Sequence, residues 1–127
     1  MAGAAVIAVA VQLYGVYRVT GPPVSPLIPH LDKAEHLVGF AVPVALVSVA
    51  VLLWQRAHRR PTTWRPVVVV AVAFLAHAVV SEIIQHVFYR TRSGDPYDVL
   101  ADSLGVGVGL LGYVGVRRRL MRSTGRA

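Results

Sequence analysis

The apolar residues of this chain come in unbroken runs, each close to the length needed to cross a bilayer. A spanning helix takes about 20 apolar residues, with roughly 17 to 25 observed. Four segments meet that length: 2–19, 34–55, 66–88 and 97–116. A soluble amphipathic helix interleaves polar residues every few positions, because one of its faces meets water. That interleaving is missing here, and only 15% of the residues are charged, against about 25% in soluble domains. The expected fold class is therefore all-α: an integral membrane four-helix bundle with short loops. One transmembrane domain covers 1–116, and 117–127 form a basic cytoplasmic tail.

The first segment is read as a retained helix. It lacks the positively charged start of a signal peptide, and no small-residue cleavage site follows it. A Pro-rich connection comes next, over 20–33. Lys and Arg near the span ends set orientation. With four spans, nine of the thirteen basic residues fall on one side, in QRAHRRPTTWR and RRRLMRSTGRA. Both termini are then cytoplasmic, and the expected location is a plasma membrane of bacterial type. All six acids (Asp32, Glu35, Glu82, Asp95, Asp98 and Asp102) lie in or beside the opposite, outer loops. A site needing both signs of charge can be built only on that side.

Residues three or four apart share a helix face. Asp32, His36 and Phe40 form one stripe, and Glu82, Gln85, His86 and Tyr89 another. On the last helix Asp98, Asp102, Gly105, Gly109 and Gly112 step by 4, 3, 4 and 3. Small residues at that spacing let two helix backbones approach closely in a membrane. Gly105, Gly109 and Gly112 are thus expected to serve packing, with this helix central. The carboxylates at its head need partners, since charge inside a bilayer is costly. Arg92 is expected to pair with Glu82 or Asp98, because a guanidinium fork holds a carboxylate with two bonds. His36 is the acid–base candidate, one turn from Asp32, which would orient it. A polar clasp that only fixes the helices and a functional pocket both remain open on this pattern.

Several classes are excluded or disfavoured. There is no cysteine, so no disulfide framework, thiol catalysis or thiolate metal site. The net charge of +7 comes without a nucleic-acid motif, and no nucleic-acid partner is expected. No cofactor is expected. Glu82 and His86 have a spacing that can hold a metal, with His36, Asp98 or Asp102 to complete it. No recognised metal signature is present, and none is expected. His77, in mid-span, is read as a satisfied buried histidine. A serine hydrolase is disfavoured by the lack of a G-x-S-x-G elbow.

DKAEHLVGF, Asp32 to Phe40, resembles the DKxxH opening of the VanZ-like membrane proteins. SEIIQHVFYRTRSGDPYDVLADSLG resembles that family's second block. In that block E-x-x-Q ends one helix, an Arg follows in the loop, and D-x-x-x-N-x-x-G starts the next helix. Asp32, Lys33 and His36 take the first motif. Glu82, Gln85, Arg92, Asp98 and Gly105 take the second. The family's usual Asn falls on Asp102 here.

The resemblance implies an envelope role; the family's best-known member is associated with low-level teicoplanin resistance. The leading expectation is an outer-leaflet pocket of Asp32, Lys33, Gln85, Arg92, Asp98 and Asp102. It would bind a polar or anionic envelope component, such as a lipid-linked cell-wall precursor or a glycopeptide. Membrane lipids are the other expected partners. One alternative is a membrane enzyme acting on such a precursor with His36 and Glu82 as acid and base. The last is a proton-coupled carrier or a scaffold.

Overall fold

The computed structural model describes residues 1–17, 31–89 and 95–124. Their regular structure is entirely helical: α1 (Ala2–Tyr17), α2 (Leu31–Ala57), α3 (Arg65–Phe88) and α4 (Pro96–Thr124). Three of these, α2, α3 and α4, are long and apolar enough to cross a membrane. The described part of α1 has 16 residues. At 1.5 Å per residue that is about 24 Å, short of a hydrocarbon core of about 30 Å. Residues 18 and 19 and most of the Pro-rich connection lie outside the described residues.

Local chemistry accounts for the helix ends. Pro66 sits in the first turn of α3 and Pro96 begins α4, where a missing N–H removes no helical bond. Asp95 precedes α4 and caps it: Tyr97 N–H donates to Asp95 Oδ1 at 2.9 Å. After α2 the chain turns with Arg59 in the left-handed region, at φ 51°. Arg60 N–H reaches back to the Gln55 carbonyl at 2.7 Å and Arg59 N–H to that of Arg56 at 3.1 Å. These two bonds close the helix end and satisfy carbonyls that would otherwise be left over.

Two boundaries depart from the sequence reading by three residues or more. The α2 helix begins three residues early, so Asp32 and Lys33 are helical. The α4 helix continues to Thr124, so most of the basic tail is helix. Arginine is a good helix former, and Arg117 lies 4.7 Å from the Trp64 ring centre, holding this end against the α2–α3 turn.

The central helix is α2, not α4: it packs on all three others. Its most extensive partner is α4, and the two run parallel. The sequence offset between partners stays nearly constant, at 65 for Lys33–Asp98, 66 for His36–Asp102 and 64 for Arg56–Leu120. Gly105 and Gly109 make this register possible. A Cβ at Gly105 would run into the Leu37 carbonyl and stand 3.0 Å from Phe40 Cβ. A Cβ at Gly109 would stand 2.6 Å from the Ala41 carbonyl and 2.9 Å from Val44 Cβ. At Gly112 the approach relaxes to 3.7 Å from Ala45 Cβ, an ordinary contact. Phe40, Val44, Ala78 and Val106 fill the adjoining core, and Leu52, Val67 and Tyr113 a second one further along.

This packing gives a position-specific expectation. Gly109→Val forces the α2 and α4 backbones apart and lowers stability by about 1–3 kcal/mol, the usual cost of overpacking. Gly107→Val on the opposite face meets nothing within 4 Å and leaves stability within about 0.5 kcal/mol. Thermal unfolding of the two variants in detergent measures the difference.

Candidate functional site

The close α2–α4 seam places four side chains opposite one another: Lys33 and His36 from α2, Asp98 and Asp102 from α4. The end of α3 adds Glu82, and the turn before α4 adds Asp95. Lys33 Nζ contacts Asp95 at 2.6 Å, Asp32 at 3.1 Å and Asp98 closer still. Two of the three ammonium donors are hydrogen-bonded, to Asp95 and Asp98, and Asp32 adds an ion pair. Lys33 therefore serves first to neutralise the protein's own acids.

His36 is buried, and its Nδ1 is 2.9 Å from Asp102 Oδ1. The expected orienting group, Asp32, instead stands largely exposed beside Lys33. Asp32 lies one turn earlier on the same helix at its open end, while Asp102 faces His36 across the seam. With Asp102 accepting, His36 donates from Nδ1, and in the neutral ring Nε2 then carries the lone pair. That Nε2 is 3.8 Å from Asp98 Oδ2, too far for a hydrogen bond.

Glu82 is buried. Its Oε2 accepts the Asp95 N–H at 2.9 Å, and its Oε1 is buried with no partner among the described residues. Asp102 Oδ2 is likewise buried without one. Donor atoms of His36, Glu82 and Asp98 lie within 4.8 Å of one another, a spacing that can hold a metal ion. The expectation that no metal site forms does not anticipate this grouping. Glu82 approaches from α3, and His86, its partner at metal-binding spacing in the sequence, points away and is exposed.

Other residues named from the sequence do different work. Gln85 is buried but donates to the Val16 carbonyl at 3.1 Å, and Tyr89 hydroxyl donates to that of Tyr17 at 2.9 Å. Both satisfy carbonyls at the end of α1, so this pair ties α1 to α3 and stays out of the acid cluster. Arg92 and Arg90 lie outside the described residues. Asp98 and Glu82, the acids expected to pair with Arg92, are held by Lys33 and by the Asp95 N–H. His77 is stacked on Phe40 with ring centres 5.7 Å apart, and its Nδ1 is 3.4 Å from the Tyr17 hydroxyl. Asp95 is absent from the candidates that helical spacing picks out, although it joins three parts of the cluster. An Asp before Pro at a helix start is an N-cap signal, and that signal could have found it.

Beside the cluster, α1 and α2 enclose a groove of about 380 Å³. Its walls are apolar, with Val11, Val16, Phe40 and Pro43 among them, and its polar members are Gln12, Glu35 and His36. Gln12 is buried, and neither of its amide atoms has a partner among the described residues. Gly15 and Gly39 face open space there: a Cβ at either position would meet nothing within 4 Å. His36 is thus shared between the groove and the acid cluster.

Outside the helices, the Lys33 ammonium bonded to Asp95 holds that carboxyl below the usual Asp range, helped by the Tyr97 N–H. A depressed folded-state pKa contributes stability above the unfolded value, about 3.9. That contribution disappears as pH falls through the lower folded value. Asp95→Asn is therefore expected to melt below the wild-type protein at pH 6. The two melting curves should converge as pH drops toward 3, as pH-dependent melting in detergent will show.

Compared with models of protein families, with characterised proteins and with solved structures, the chain shows no match.

Proposed function

We propose that this chain is a membrane protein of VanZ-like type whose α1–α2 groove and polar cluster together bind an amphiphilic envelope component. The membrane reading is supported by an inverted distribution of polarity. Val68, Val69, Val72, Ile83, Val87 and Leu104 are exposed, while Ser48, Ser81, Gln85 and Asp102 are buried. Such an exterior suits lipid, which gives no reason to hide apolar side chains. In the proposed placement the helices form a four-span bundle with both termini cytoplasmic. The basic turn and the α4 end face inward, and the Lys33–Asp98 end faces outward.

The observation that carries the binding reading is the position of His36. Its ring borders an apolar groove and is held by Asp102 at the polar end. A hydrocarbon or isoprenoid chain fits the groove, and a polar head fits against His36, Glu35 and the cluster. Ligand sites commonly pair an apolar lining with a few placed polar groups. A lipid-linked cell-wall precursor has that form, and a link to glycopeptide resistance would follow from sequestering or shielding one. Gly39→Phe fills the groove from a position with free space around it. It is expected to abolish retention of such a lipid, measured by mass spectrometry of gently purified protein. His36→Gln should weaken retention about tenfold. Unchanged lipid content in both variants would sink the proposal.

The buried His36–Asp102 pair favours one second reading, an enzyme in which His36 transfers protons and Asp102 fixes its tautomer. Turnover of labelled envelope lipids should then be lost in His36→Gln and retained in His77→Gln. Equal turnover in the two variants would exclude it.

A further inference from the structure

We propose that His36, Glu82 and Asp98 form a binding site for one divalent transition-metal ion, of the zinc or manganese class, with Asp102 as the supporting carboxylate. Their donor atoms lie within 4.8 Å of one another, and all three residues are buried. Among the described residues each is held at one atom and leaves another unclaimed. Asp102 holds His36 at Nδ1, leaving Nε2. Lys33 holds Asp98 at Oδ1, leaving Oδ2, which faces that Nε2 at 3.8 Å. The Asp95 N–H holds Glu82 at Oε2, leaving Oε1 buried without a partner.

Glu82 is only 7% exposed, and a buried carboxylate oxygen with nothing bonded to it is costly unless a proton or cation meets it. An ion would remove that cost. Carboxylate–histidine pairs that fix the ring and its tautomer are the common support of metal-ligating histidines, and Asp102–His36 has that arrangement. One imidazole and two carboxylates suit zinc or manganese and leave a coordination position open. Lys33 already contacts three acids, so a bound ion would add positive charge for an anionic head group. The ion site stands independently of the lipid reading, because metal can be measured on delipidated protein and lipid retention on metal-stripped protein.

The test uses untagged full-length protein in detergent, delipidated, stripped with chelator and titrated with Zn²⁺ and Co²⁺. The expected result is one ion per chain and, for Co²⁺, visible absorption of a low-symmetry nitrogen–oxygen site. Zn²⁺ should also raise the melting temperature. Glu82→Gln and Asp98→Asn should each weaken binding at least tenfold, and Asp102→Asn about 10- to 100-fold, as for other supporting groups. His86→Gln should bind as wild type. Two results would overturn the site: no stoichiometric binding by the wild-type protein, or binding that survives Glu82→Gln and Asp98→Asn while His86→Gln removes it. Glu82→Gln that melts at or above the metal-free wild-type temperature, yet gains nothing from Zn²⁺, would show that the loss is of the ion and not of the fold.

Discussion

The backbone-to-backbone approach of α2 and α4 sets the rest of this structure. Two glycines on α4 meet the Leu37 and Ala41 carbonyls where a side-chain carbon would collide. Contact that close admits little sliding, since a shift of one residue would drive larger side chains into the same carbonyls. The register therefore carries along the whole pair, from Lys33–Asp98 to Arg56–Leu120. Asp98 and Asp102 continue the glycine stripe of α4. They inherit its direction, and so they face Lys33 and His36.

That inheritance explains how so many acids share one end of a largely apolar chain. Buried charge is tolerated only with good geometry and further hydrogen bonds. Here the single Lys33 ammonium binds three carboxylates, an imidazole binds a fourth, and a backbone N–H binds a fifth. Besides binding Lys33, Asp95 caps α4 with its side chain and donates its N–H to Glu82. Among the described residues this network leaves one oxygen each of Glu82 and Asp102 unmet. The proposed ion addresses the Glu82 oxygen; Asp102 supports it by holding His36 through its other oxygen.

The groove belongs to a different pair of helices. The α1 helix is attached at its end by Gln85 and Tyr89 of α3, which take the Val16 and Tyr17 carbonyls. Further along, its small residues leave space against α2, and Gly15 and Gly39 line that space. His36 belongs to both regions because it sits where the α4-facing and α1-facing sides of α2 meet.

The sequence by itself determined the helical class, the positions of the long apolar segments, the glycine face of α4 and the short list of ionisable residues. These follow from run length, composition and helical periodicity, all local properties. It did not determine partners. Asp32 and Gln85 stood on the right faces, yet one turned to Lys33 at the open helix end and the other to α1. Asp102 became the partner of His36 although the two are 66 residues apart. Which helix lies at the centre, which carboxylate meets which cation, and that Glu82 rather than His86 points inward were decided only by tertiary packing. Helical spacing says which residues share a face, but only the register between helices says what that face meets.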